Sequence, residues 1–196
     1  MTQSIAALVG SRICHDLISP IGAISNGVEL LNLTHSSSSE EMSLIAESAE
    51  SATARVMFFR VAYGGASEGQ MIRSSEIKTI LDKVSETGKF TYEWDSQPSI
   101  PRNFAQLVFL SLQCIEACLP VGGHINIRQD GDRWVLATKS ATLQLDADLW
   151  ACLTGPSTHK TLTSAEVQFA LLPAALNDAK RNLSYEQKGD GLVVRI

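Results

Sequence analysis

The stretch Ser11-Arg12-Ile13-Cys14-His15-Asp16-Leu17-Ile18-Ser19-Pro20, continued by Ile21-Gly22-Ala23-Ile24-Ser25-Asn26-Gly27-Val28-Glu29-Leu30-Leu31, decides how this chain reads. Ile13, Leu17, Ile21, Ile24, Val28 and Leu31 recur at steps of 4, 4, 3, 4 and 3, which lines them along one face of a helix. His15 lies two residues from both Ile13 and Leu17, roughly 200° round the helix from each. It therefore faces away from the apolar stripe. Arg12, Ser19, Gly22 and Asn26 share that outer face and form a narrow polar ridge of mostly small residues. No large side chain stands on this ridge within a turn C-terminal to His15, so another molecule has room to come close.

A lone surface histidine is most often only a solvated side chain. Three neighbours argue for more. Asp16 directly follows His15, and a carboxylate beside an imidazole can fix its tautomer and raise its basicity, as at histidines that act as nucleophiles. Arg12, one turn earlier, can steady Asp16 or the anionic oxygens of an incoming group. Pro20, five residues after His15, removes a backbone bond and bends a helix that contains it. The alternative for Pro20 is the start of a new helix after a short break.

Further along, Thr34-His35-Ser36-Ser37-Ser38-Ser39 breaks the pattern. Ser38 or Ser39 can cap a second helix, with Glu40 and Glu41 well placed in its first turn. In that helix Met42, Ile45, Ala49, Ala52, Val56 and Phe59 form another stripe, which Tyr63-Gly64-Gly65 ends; a Gly-rich linker follows to Gly69. Two such helices with a short loop lie antiparallel. One hairpin alone buries two long stripes poorly, so pairing with a second copy into a four-helix bundle is expected, although the C-terminal part could also cover the stripes.

From about Met71 the texture changes to mixed helix and strand. Ser74 to Val84 is helical in pattern, Phe90 to Trp94 alternates like a strand, and Asn103 to Leu119 is a buried helix approached through Pro98 and Pro101. His124 to Gln129 and Arg133 to Thr138 read as a hairpin across Asp130-Gly131-Asp132. Leu149 to Leu153 and Ala165 to Leu183 read as helices, and Ser184 to Glu186 with Gly191 to Ile196 as a closing hairpin across residues 187–190. The expected class is α+β: a helical hairpin over residues 1–66, then an α/β sandwich over 71–196 with helices on one face of a sheet.

Composition narrows the function. A net charge of −5 is a poor match for nucleic acid, which needs a basic surface. No segment has the length and apolarity of a membrane span, and the N-terminus lacks the basic start of a secretory signal, so a soluble cytoplasmic protein is expected. The cysteines Cys14, Cys114, Cys118 and Cys152 show neither a CxxC pattern nor a disulfide framework, and Cys114 with Cys118 reads as a pair of small core residues. The histidines His15, His35, His124 and His159 are scattered without metal-ligand spacing, so no metal and no cofactor is expected on this chain.

The run from Ser11 to Pro20, with histidine, then an acidic residue, then proline five after the histidine, resembles the H-box of sensor histidine kinases. Its continuation through Leu31, with Phe58-Phe59-Arg60-Val61-Ala62-Tyr63-Gly64, resembles more specifically the alphaproteobacterial histidine phosphotransferases of the ChpT type. The resemblance covers essentially the whole chain and is most specific in its first third. It implies a homodimer on a four-helix bundle, followed by a domain shaped like a kinase ATP-binding domain. It implies transfer from the receiver domain of a hybrid kinase onto histidine and on to response regulators, with His15 as phosphoacceptor and Asp16 as its acidic neighbour. The receiver is then expected to carry the Mg2+. Arg12, Ser19, Gly22 and Asn26 are added from helix geometry as a steering cation and a partner-contacting ridge.

A kinase of this shape holds ATP with an asparagine-bearing helix, a D-x-G-x-G loop and a glycine-rich lid. Here Ser111 and Ile115 stand at the expected asparagine positions, with Glu116 a lone acidic candidate. Lys139-Ser140-Ala141-Thr142-Leu143 has no aspartate or glycine, Leu162-Thr163-Ser164-Ala165-Glu166 replaces the lid, and Gly155-Pro156 is a lone turn. Without glycines the backbone cannot approach phosphates closely. The expectation is a phosphotransferase that does not use ATP. The alternatives are an ATP-dependent kinase with an atypical site and a non-catalytic dimeric adaptor that binds response regulators.

Overall fold

The computed structural model describes residues 4–34, 39–155 and 161–196, with the backbone alone at 32–34, 39 and 40. Its elements are α1 (Ile5–Thr34), α2 (Ser39–Tyr63), β1 (Met71–Arg73), α3 (Ser74–Thr87), β2 (Phe90–Asp95), β3 (Ser99–Pro101), α4 (Arg102–Glu116), β4 (Gly123–Asp130), β5 (Arg133–Lys139), α5 (Ala147–Thr154), a 3-10 turn (Ser164–Glu166), α6 (Gln168–Asp178), β6 (Ser184–Lys188) and β7 (Gly191–Arg195).

The helix α1 runs unbroken through Pro20, so the alternative of a fresh helix start there is overturned. Proline forfeits one backbone bond, and the turns on either side carry the rod past it. Gly27 lets α2 lie close, since a Cβ at that position would stand 2.5 Å from the Ile45 side chain. Ser39, one of the two expected caps, opens α2; Ser38 and the rest of the serine run lie outside the described residues. The α1 stripe is only partly used by this hairpin. Ile13, Leu17, Ile24 and Leu31 are half-buried, while Ile21 and Val28 remain exposed.

The end of α2 is fixed by α4. The last carbonyls of a helix have no partner within it. Here the Arg102 guanidinium donates to the Arg60 carbonyl, and Gln106 Nε2 donates to the carbonyls of Ala62 and Gly64 at 3.2 and 3.3 Å. Phe58 packs on Phe109 with ring centroids 4.7 Å apart. Eleven of the fifteen α4 residues are buried, because α2, α6 and the sheet surround it. A single apolar cluster thus extends from Phe58 to Ile196. Each fully buried Leu, Ile or Phe in it contributes about 1.5–3 kcal/mol.

The main sheet has five strands in the order β2-β4-β5-β7-β6, with β2 and β4 parallel and the other pairs antiparallel. The parallel pair needs a crossover, which β3 and α4 supply. Ile125, Ile127, Trp134, Leu136, Leu192 and Val194 alternate into the core and bury one face, as expected of helices on one side of a sheet. A separate ladder joins β1 to β3. Three-residue strands are too short to show alternation, and the sequence reading missed both.

Several boundaries differ from the expectation, α3 running on to Thr87 and α4 stopping at Glu116 among them, and two of the differences have an identifiable cause. The helix expected over Ala165–Leu183 is a 3-10 turn followed by α6, which stops at Asp178. Lys180 adopts a left-handed conformation (φ +52°), and the N–H groups of Lys180 and Arg181 bond back to the carbonyls of Asn177 and Leu176. This is a Schellman-type stop with lysine where glycine is usual, so its sequence signal is absent. The closing hairpin turns on Gly189 and Asp190 alone, with Gly189 at φ +57°, so β6 continues to Lys188 rather than ending at Glu186.

One glycine is constrained by both conformation and space. Gly122 has φ +89°, and a Cβ there would fall 2.0 Å from the Lys89 carbonyl oxygen. Gly122→Ala is expected to lower stability by about 1–3 kcal/mol, read as a shift of the urea midpoint at unchanged slope.

Candidate functional site

Helix α1 presents His15 outward, with 82% of its side chain exposed. Its Nδ1 stands 3.0 Å from Asp16 Oδ1, and the other carboxylate oxygen of Asp16 lies 3.0 Å from Arg12 Nε. Arg12 and Asp16 are an i, i+4 pair on one helical face, and both are largely covered (23% and 12% exposed). Arg12 also reaches across to the C-terminal part, where its guanidinium donates to the Ala165 carbonyl at 3.4 Å. A continuous polar chain therefore runs from the 3-10 turn through Arg12 and Asp16 to the imidazole. With Nδ1–H donating to Asp16, the lone pair of Nε2 points to solvent.

Two cavities flank the histidine. The outer one, about 430 Å³, lies between α1 and α2, with Ser19, Ala23, Glu47 and Ser48 among its walls. The inner one, about 450 Å³, runs inward between the hairpin and the sheet, past Phe59, Lys89 and Tyr92 to Glu116. His15, Asp16, Arg55 and Thr87 line both. Of the ridge residues expected at the site, Ser19 joins His15 in the outer cavity. Gly22 and Asn26 are exposed but line neither cavity, and the space beyond Gly22 is open.

A third groove, about 750 Å³, lies between α4, the segment Gln144–Asp146 and the segment Thr163–Gln168. Ser111 and Ile115 do not line it. Both are fully buried in the core, and the residues of α4 and its C-cap that do line it are Gln113, Glu116 and Ala117, so the expected register of the groove-facing positions was wrong. Glu116 accepts a hydrogen bond from the Tyr92 hydroxyl at 2.7 Å. Burial raises the Glu116 pKa above the usual carboxylate value, with the Tyr92 bond and Arg12 working against that rise. Burial likewise pushes the Tyr63 hydroxyl up to about 12 and raises Tyr92 further. Tyr63 donates to Gln113 Oε1 at 2.5 Å, which ties the end of α2 to the floor of this groove. A capping box between Thr163 and Glu166 organises the segment that stands where a lid would be. Pro156 and His159 lie outside the described residues. Cys114 and Cys118 are buried, and the Cys118 sulfur accepts the Trp150 indole N–H, in keeping with core positions.

Arg55, Thr87 and Lys89 were not singled out from the sequence. They come from α2, the end of α3 and the following turn, and nothing local marks them as neighbours of His15. No helix among the described residues is long and apolar enough to cross a membrane.

Comparison with known proteins gives one consistent picture. The family model for the histidine phosphotransferase C-terminal domain matches residues 74–191. Protein phosphotransferase ChpT of Brucella abortus (strain 2308) is 31% identical over 170 residues, which is 84% of this chain and 81% of that protein. A bacterial phosphotransferase solved at 1.7 Å superposes with a TM-score of 0.81 at 28% identity, covering 100% of this chain and 98% of that one.

The raised Glu116 pKa has a sign that can be tested. A carboxyl whose folded pKa exceeds its unfolded value favours the fold below the unfolded pKa and loses that benefit as pH rises through the folded pKa. Glu116→Gln removes the cost of the buried charge. The variant is expected to gain urea resistance relative to the parent at pH 8, with the gain shrinking as pH falls toward the ordinary carboxylate range. A gain that is the same at both pH values would contradict the burial argument.

Proposed function

Because this chain belongs to the histidine phosphotransferase family, we propose that His15 is its phosphoacceptor, taking a phosphoryl group from a receiver-domain aspartate and passing it to a downstream response regulator. The observation that carries this reading is the outward imidazole held through Nδ1 by Asp16, which is itself held by Arg12.

The chemistry follows from the geometry. The Nε2 lone pair of neutral His15 attacks the phosphorus of the receiver's acyl phosphate in line. The bond between phosphorus and the carboxylate oxygen breaks, and the leaving carboxylate takes its electron pair. The imidazole keeps its Nδ1 proton and gains positive charge, which Asp16 Oδ1 stabilises at 3.0 Å. Return transfer runs the same steps backward, with a receiver carboxylate attacking the phosphohistidine. Both phosphorylated forms are reactive, so this protein's main task is positioning. Neutralising the acidic pocket of the receiver, including through the Mg2+ expected there, falls to the receiver itself. Arg12 steers that pocket toward the ridge, and Ser19, Gly22 and Asn26 contact the partner.

The groove beneath α4 does not suit a magnesium nucleotide. Its carboxylates are already engaged: Glu116 is held by Tyr92 and biased toward the neutral form, Asp146 caps α5, and Glu166 closes the capping box with Thr163, while Thr163 to Glu166 contain no glycine to approach phosphates. These features support transfer without ATP. A cytoplasmic location fits the same reading.

A homodimer is the second part of the proposal. Ile18 (70% exposed), Ile21 (52%) and Val28 (45%) on α1, with Met42 (51%) and Val56 (47%) on α2, form an apolar surface on the hairpin that a second hairpin would cover.

His15→Ala is expected to fold and dimerise but to take no radiolabel from a phosphorylated receiver, while neither protein takes label from ATP alone. Labelling of the variant would defeat the assignment, and ATP labelling of the parent would restore the kinase reading. In sedimentation velocity at micromolar concentration the parent is expected to run as a dimer and Ile21→Glu/Val56→Glu as a monomer. A monomeric parent would remove the bundle from the account.

A further inference from the structure

We propose that Arg55 binds the phosphoryl group while it resides on His15, an inference that rests on His15 being the phosphoacceptor. Arg55 comes from α2, is half-buried, and lines both cavities that flank the histidine. Three cations line the inner cavity: Arg12, Arg55 and Lys89. Two are committed. Arg12 holds Asp16 at 3.0 Å, and the Lys89 ammonium donates to the Pro120 carbonyl at 2.8 Å. Among the described residues no carboxylate stands within ion-pair distance of Arg55. The Arg55 charge reaches Glu116, deeper in the cavity, which Tyr92 already engages. Burial also biases that carboxyl toward its neutral form, which weakens its hold on the guanidinium.

Phosphorylation changes the balance. Moving the phosphoryl group from the receiver's carboxylate oxygen to Nε2 forms one N–P bond and breaks one P–O bond. It brings about two negative charges to a histidine whose nearest carboxylate, Asp16, is itself anionic. A guanidinium offers a planar fork that matches two phosphoryl oxygens, and it gains most where water is partly excluded. Arg55 is the cation on the shared wall of the two cavities that is available for this. Arg12 then keeps Asp16 and the imidazole in place while Arg55 neutralises the transferred group. The acidic Glu47 shares the outer cavity with Arg55 and leaves that guanidinium as the cation there that can offset a phosphoryl group.

The test loads His15 of the full-length protein chemically with phosphoramidate, so that it does not depend on any receiver, and follows the 31P resonance of the phosphohistidine against pH. Arg55→Met is expected to raise the titration midpoint of that resonance, because a neighbouring cation favours the more charged phosphoryl form, and Arg55→Lys to fall between the two. If Arg55→Met does not fold, the upward shift in Arg55→Lys carries the comparison. In parallel, transfer from a phosphorylated receiver is expected to slow by about 10–100-fold in Arg55→Met and to recover in part with lysine. Midpoints that coincide in parent and variants would overturn the proposal, whatever the transfer rates, since a purely structural arginine leaves the phosphorus signal unmoved. A parent that takes phosphoramidate label but none from a receiver would instead defeat the relay function and leave the Arg55 measurement standing.

Discussion

The site depends on one carboxylate, Asp16, gripped on both oxygens. Arg12 holds one oxygen and His15 Nδ1 holds the other, each at 3.0 Å. The arrangement does three things at once. It sets the tautomer, it fixes the ring plane on a helix whose outer face is otherwise free, and it leaves Nε2 open to solvent. A more buried histidine would be better ordered but out of a partner's reach. A histidine without the carboxylate would be reachable but divided between two tautomers.

Arg12 extends this constraint beyond the hairpin by touching the Ala165 carbonyl. The larger connection is at the far end of α2, where Arg102 and Gln106 of α4 donate to the carbonyls of Arg60, Ala62 and Gly64. Removing Arg102 would take one donor from the Arg60 carbonyl, which the Gly64 N–H also reaches, and leave a hole in the core. Its guanidinium is partly desolvated, and the charged form is disfavoured by that burial and by nearby Arg60. The C-terminal part is thereby set against α1 and α2 at a defined position and forms one wall of the inner cavity beside His15. That structural service requires no nucleotide.

Much of this was legible in the sequence, and the failures have physical reasons. The α1 stripe placed His15 outward correctly because a helix converts spacing directly into direction. The pair Arg12 and Asp16 was legible for the same reason, being four apart on one helix. Alternation gave β2, β4, β5 and β7, whose inward side chains bury a single face. The β1–β3 ladder was not legible because its strands hold three residues each. The end of α6 was misjudged because Lys180 takes a conformation normally left to glycine. Ser111 and Ile115 were set at the asparagine positions by resemblance, and because α4 is buried on nearly all sides its periodicity gives no clear inner face that would have corrected the count. Arg55, Thr87 and Lys89 were invisible for a different reason: their nearness to His15 is tertiary, and no spacing within one helix encodes it.

The most direct test of the central claim is the protonation and bonding state of the His15 ring. Long-range 1H–15N spectra of 15N-histidine-labelled protein, before and after phosphoryl transfer, report both nitrogens separately. The account predicts a protonated Nδ1 and a bare Nε2 in the free protein, with phosphorus bonded to Nε2 of His15 after transfer and the Nδ1 proton retained. Phosphorus on Nδ1, or on any other histidine, would contradict it.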